Sequence, residues 1–229
     1  MEIKKILLSI MTIILFSLGT VQVQAGSWGM GIQFQSLDLT TDASDDIDNN
    51  GSVDTTKSFD DSVQVPAIFV EKNFDAFFGN LALGVSYIPF DADIDKRSIT
   101  QSSVKALADG AATTGTNSAE GTVSDHYTIY IQPGMNVGTN LVYLNLGMSF
   151  AEVEGKSASI SSTNITETKD LEGTQYGIGI KRVSDSGIML KLEYSETDYD
   201  KVSWVTSNST KGMADLDTSA FSISLGTQF

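Results

Sequence analysis

The feature that most constrains this chain is a period-two alternation of apolar and non-apolar residues, repeated in eight separate segments. In SWGMGIQFQSLDL, Trp28, Met30, Ile32 and Phe34 point one way and Gly29, Gly31, Gln33 and Gln35 the other. Successive side chains on a strand lie on opposite faces, so each segment reads as a strand with one apolar face. SVQVPAIFVEKNF is less clean: Val63, Val65, Ala67 and Phe69 make one face, and Ile68 and Val70 blur it. NLALGVSYIPF, DHYTIYIQPG, LVYLNLGMSF, TQYGIGIKR, GIMLKLEYSE and SAFSISLGTQF complete the set. Their connections alternate as well. Those near Asp75-Ala76, Gly134 to Thr139 and Ser184 to Ser186 are short; those including residues 41–62, 98–124, 156–168 and the stretch around Trp204 are long and hydrophilic.

A β-sandwich also alternates, because one face of each sheet meets water, but Greek-key connections give no reason for short and long links to take strict turns. An up-and-down barrel in a membrane does. In lipid every backbone N–H and C=O is paired within the protein, so strands cross only as a closed ring. The expected fold is therefore all-β: an eight-stranded antiparallel transmembrane barrel with three short turns at one end and four long loops at the other. Aromatic residues support it, since they gather into two interfacial girdles. Trp28, Phe74, Phe77, Phe78 and Phe229 form one; Tyr87, Tyr127, Phe150, Tyr176, Tyr194 and Phe221 form the other.

The first 25 residues stand apart. Lys4 and Lys5 precede an apolar run from Ile6 to Leu18, and Val23-Gln24-Ala25 supplies a peptidase site. This is a secretory signal, too short to span as a helix, which leaves residues 26–229 as the barrel domain. With the signal removed, 12 basic and 28 acidic side chains remain, a formal net charge of −16. That sign argues against nucleic acid as a partner. The chain has no cysteine, which excludes disulfides and thiolate metal sites.

The signal, the eight alternating strands and a terminal FSISLGTQF closed by an aromatic residue resemble the OmpA-like, opacity-type family of small outer-membrane barrels. The resemblance covers the mature chain and is architectural. It implies insertion by the barrel-assembly machinery, a Gram-negative outer membrane with its lipopolysaccharide as surroundings, periplasmic termini and outward-facing long loops. It implies no catalytic residue or cofactor. The expected role is structural or interactional, carried out by a monomer; a narrow porin and a lipid A-modifying enzyme are the alternatives.

Three clusters are candidate sites. The acidic loop DASDDIDNNGSVD contains D-x-D-x-N-G, the start of a calcium loop, with Asp46, Asp48, Asn50 and Asp54 at ligand positions and Gly51 at the turn. Lys57 stands where a bidentate glutamate belongs, so an EF-hand is not expected; the segment reads first as a solvated loop, with weak Ca²⁺ or Mg²⁺ binding by hard oxygen ligands as the alternative. The single histidine lies in Ser124-Asp125-His126. A base, a carboxylate and a hydroxyl suit nucleophilic catalysis, but alternation turns His126 inward and Asp125 outward. Finally, Lys181, Lys191, Glu193 and one of Glu71 or Lys72 are expected to pair inside the barrel, where inward glycines at 29, 31, 84, 147, 177, 179 and 226 leave room for water.

Overall fold

The computed structural model of the chain describes residues 26–46, 51–76, 79–105, 112–158, 165–205 and 211–229. The signal segment lies outside them, as do Phe77 and Phe78 of the terminus-side girdle. Ten antiparallel strands occur among the described residues: β1 (Trp28–Asp46), β2 (Thr55–Ala76), β3 (Gly79–Tyr87), β4 (Ala92–Lys105), β5 (Ala112–Val137), β6 (Asn140–Ala158), β7 (Ile165–Val183), β8 (Ile188–Tyr199), β9 (Val202–Val205) and β10 (Lys211–Gln228). Eight of them form the ring β1-β2-β3-β5-β6-β7-β8-β10, closed by a β1–β10 ladder running from Gly29↔Gln228 to Asp46↔Lys211. β4 continues the path of β3 and β9 that of β8; each pairs with one neighbour only, β5 and β10 respectively. The eight-stranded expectation holds.

The strands are longer than a membrane requires. About ten residues span a bilayer, yet β2 has 22 residues and β5 has 26. The surplus lies at the end away from the termini, where residues 41–62, 98–124 and 156–168, read as loops, are largely strand. β1 runs to Asp46 and β2 begins at Thr55; β4 and β5, and β6 and β7, pair in the same way far beyond the girdle. Thr favours strands and Thr–Thr and Thr–Ser pairs bond across a ladder, so these Thr-rich stretches are compatible with strand.

The hydrophobic phase inverts along the long strands of the ring. On β1 the outward row is Trp28, Met30, Ile32 and Phe34, all exposed, followed by exposed Ser36, Asp38, Thr40 and Asp42. The inward row is polar at Gln33 and Gln35 and becomes apolar at Leu37 and Leu39. β8 repeats the outward half of this change: Ile188, Leu190, Leu192 and Tyr194 face out, then Glu196 and Asp198. The lower barrel is thus built for lipid, apolar outside and polar inside. The upper extension is built for water, with two apolar interior clusters: Val65, Ala67 and Ile88 with Leu37 and Val63, and Ala151, Leu171 and Tyr199 with Val123, Val153, Val202 and Leu216.

This inversion corrects the face assignment on β2. Val65, Ala67 and Phe69 point inward and are buried, whereas Ile68 and Val70 face out. The pattern blurs there because β2 changes phase at that level. The girdle tyrosines lie at the boundary: the Tyr176 and Tyr194 hydroxyls donate to Glu196 at 2.7 and 3.0 Å, and Tyr127 stacks on Phe150 with centroids 5.0 Å apart.

Candidate functional site

The lumen is crossed by a charge network assembled from inward positions on β2, β5, β6, β7 and β8. Glu71, at the point where β2 regains the lipid-facing phase, accepts from Lys181 Nζ at 3.0 Å and from Lys191 Nζ at 2.9 Å. Lys181 also donates to Asn73 Oδ1 at 2.5 Å, and Lys191 to Gln132 Oε1 at 3.2 Å. Lys191 Nζ lies 4.9 Å from the Phe69 ring centroid and 5.4 Å from those of Tyr130 and Tyr143, so its charge is further stabilised by aromatic faces. Glu193 receives Gln132 Nε2 at 3.2 Å and Asn145 Nδ2 at 2.8 Å. Two lysines and two glutamates leave this layer formally neutral.

The expected pairing of Lys181, Lys191 and Glu193 is correct as to place and incomplete as to partner: Glu71 is the hub. Lys72, its alternative, faces outward, with Nζ 4.8 Å from the Trp28 ring centroid and donating to Gly26 O at 2.5 Å. Two of the inward glycines do not leave room for water. A Cβ on Gly84 would come within 2.4 Å of the Tyr130 ring, and one on Gly179 within 2.4 Å of the Tyr143 ring. Those glycines are the slots into which the tyrosines fold, and the lumen is narrowed by aromatic carbon at the level of the ion pairs.

Beside this layer lies a small polar cavity of about 20 Å³, room for about one water molecule, lined by residues including Gln33, Gln35, Ser86, His126, Lys191 and Glu193. His126 does point inward, and its Nε2 lies 2.8 Å from the Tyr199 hydroxyl. Asp125 is exposed at a β-bulge, in the left-handed region at φ 50°, and so does not orient the imidazole. Base and carboxylate are on opposite sides of the wall. A bulge re-aims a strand, and this one is not visible in the spacing of Ser124-Asp125-His126.

The acidic segment of residues 42–54 is only partly described; Asp48 and Asn50 lie outside the described residues. Asp46 is buried and its carboxylate accepts the Gly51 N–H at 2.8 Å, while the Asp54 N–H donates to Asp45 O at 2.8 Å. Asp46 therefore ties the end of β1 to Gly51. Among the described residues no group of three or more His, Cys, Asp or Glu side chains is placed to hold a metal ion. Trp204, in a stretch read as a long connection, lies on β9 against Gly212 of β10, where an added Cβ would meet its ring at 2.3 Å.

Charge is sharply segregated along the barrel. Residues 36–67, 88–126, 151–174 and 195–220 hold 24 acidic and 8 basic side chains; the remainder of 26–229 holds four of each. On the outer face of this far end Asp217 pairs in register with Asp198 and Thr40, and Asp42 with Asp215. Burial, with Asp198, Asp215, Asp42 and Glu196 nearby, raises the Asp217 carboxyl above its ordinary 3.8. A raised folded pKa means the folded state binds the proton more tightly, so stability falls as pH rises through the window between 3.8 and the raised value. Asp217→Asn is expected to stabilise the refolded protein slightly at pH 7 and to lose that advantage below pH 3.8. Urea titrations at the two pH values measure the difference.

The sequence matches the family model of the outer membrane protein beta-barrel domain over residues 11–229. A search of curated proteins finds no match by sequence. Among solved structures, the attachment invasion locus protein Ail of Yersinia pestis, in complex with the heparin analogue sucrose octasulfate, is 11% identical, with 87% of this chain and 99% of that one covered at a TM-score of 0.36. The outer membrane protease OmpT of Escherichia coli is 9% identical over 92% and 99%, at 0.48. Neisserial surface protein A is 8% identical over 86% and 97%, at 0.32. On the family match, the chain belongs to the outer membrane protein beta-barrel domain family and is an outer-membrane β-barrel.

Proposed function

We propose that this protein is a sealed, non-enzymatic barrel that carries an acidic interaction module on the outside of the cell. The observation that carries the reading is the segregation of charge: the whole net negative charge falls in the sequence segments beyond the apolar band, while the spanning part is neutral. In this orientation the termini and short turns are periplasmic and the extension rises past the lipopolysaccharide headgroups. The protein is a monomer delivered by the barrel-assembly machinery, and its acidic exterior recruits basic partners or divalent cations that bridge it to lipid phosphates. His126, paired with Tyr199 and without a carboxylate partner in the described contacts, favours the non-enzymatic reading.

The test reconstitutes the mature chain in zwitterionic proteoliposomes. These are expected to be retained on immobilised polylysine at low salt and released near 0.1 M, where screening length falls to about 10 Å. Replacing Asp38, Asp42, Asp60, Asp198 and Asp217 together by Asn should lower the salt needed for release. Unchanged retention in that variant would sink the reading. The polar cavity favours a second reading, the narrow porin; the ion-pair layer beside it opposes that reading, and planar-bilayer recordings of the wild type are expected to stay silent.

A further inference from the structure

Above the apolar band the ring does not continue as one wall. The β2–β3 ladder ends at Ile68↔Tyr87, while β2 itself runs on to Thr55, paired there with β1 alone. After Tyr87 the chain turns toward β5: the Ile88 N–H donates to His126 O at 2.9 Å, and β4 then pairs with β5 from Ala92↔Val123. The bulge at Asp125 provides the step that carries this hairpin away from β2. Among the described residues, no strand pairs with the other edge of β2 over residues 55–67.

That edge has a definite chemistry. Pro66 lies on it, and a proline within a sheet is accommodated where its missing N–H faces an unpaired side. Alternate residues present their backbone groups to the same side of a strand, so Gln64 and Ser62 direct theirs into the gap. The inner flank of the gap is apolar, formed by Val63, Val65 and Ile88. The outer flank carries an exposed carboxylate, Asp60.

We propose that this gap is a strand-insertion site for an extended, basic polypeptide in which apolar residues alternate with Lys or Arg. The proposal rests on the reading of the far end as an interaction module. The added strand takes the backbone groups of β2 as its ladder, the mode by which peptides join exposed sheet edges. Its apolar side chains then lie beside Val63 and Val65, and a cation lies beside Asp60, because side chains of paired residues share a face. The excess of 24 acidic over 8 basic residues at this end favours a cationic partner. A second copy is disfavoured, since antiparallel self-pairing of this edge brings Asp60 and Asp61 against their own counterparts.

The experiment uses the mature protein in zwitterionic nanodiscs and a ten-residue peptide of alternating Lys and Val. Saturable calorimetric binding is expected, absent with empty discs, together with slowed amide exchange over residues 58–66. A Lys-Lys-Val-Val peptide of equal composition should bind roughly tenfold more weakly or worse, as should the alternating peptide N-methylated at every second residue, which leaves the protein unaltered. Ser62→Pro, checked for folding by heat-modifiable gel migration, should weaken binding similarly. Equal binding of both peptide patterns without exchange protection would overturn strand insertion and leave the acidic-module reading standing. Absence of binding by every cationic peptide would overturn both.

Discussion

Glu71→Ala is expected to destabilise the refolded barrel by about 3–5 kcal/mol, the range seen when one partner of a buried ion pair is removed. The carboxylate is fully buried and is shared by two ammonium groups, at 3.0 Å for Lys181 and 2.9 Å for Lys191. Without it, Lys181 keeps Asn73 Oδ1, and Lys191 keeps Gln132 Oε1 and its aromatic faces, but the layer holds two cations against Glu193 alone. Most of the loss is the penalty of leaving a charge buried without its counter-ion, which makes a specific prediction possible. Glu71→Ala combined with Lys181→Met removes the surplus cation and leaves Lys191 balanced by Glu193, so the double variant should recover roughly half or more of the loss, as neutral replacement of buried pairs does. Urea unfolding in lipid vesicles, followed by tryptophan fluorescence and gel migration, reads both. A loss below about 1 kcal/mol for the single variant would mean that the pairs are solvated and that the lumen is wetter than its contacts indicate.

The difference between Glu71 and Lys72 shows how far the sequence could be read. Strand number, the lipid-facing rows on β1, β6 and β8, ring closure and the inward turn of His126 all follow from one requirement, that a spanning strand be apolar on one side and paired along both edges. That requirement stops at the headgroups. Beyond them the apolar side chains move to the inner face, and on β2 the exchange falls within Val63 to Val70, where both faces carry branched aliphatics. Inside and outside could not be told apart there, so neither Glu71 nor Lys72 could be assigned to the lumen. The same exchange concealed the long hairpins. Ser36-Leu37-Asp38-Leu39 continues the alternation of β1 out of phase, and a slip of phase without a turn residue was the available sign that the strand goes on. Long-range contacts had no local sign at all: the packing of Tyr130 over Gly84 and of Tyr143 over Gly179 joins strands whose glycines read equally well as empty space.

The phase exchange predicts unequal responses to the same substitution a short distance apart on one face. Ile32 lies near the middle of the outward apolar row of β1, 45% exposed, and is flanked in register by Ile68 at 50% and Leu225 at 54%. Ser36 lies on the same face beyond Phe34, in register with Phe221 of the girdle. Arginine on the lipid face costs about 2–4 kcal/mol at the midplane and about 0–1 near the interface, where its guanidinium reaches water and headgroups. Ile32→Arg is therefore expected to lower stability in bilayers by about 2–4 kcal/mol, and Ser36→Arg to leave it nearly unchanged. In detergent the Ile32→Arg penalty should shrink, because a micelle deforms around a charge more readily than a bilayer does. Equal penalties at the two positions would place the hydrocarbon boundary beyond Ser36 and make residues 36–42, aspartates included, part of the lipid-facing wall. That arrangement would bury Asp38 and Asp42 in acyl chains, at several kilocalories per ion.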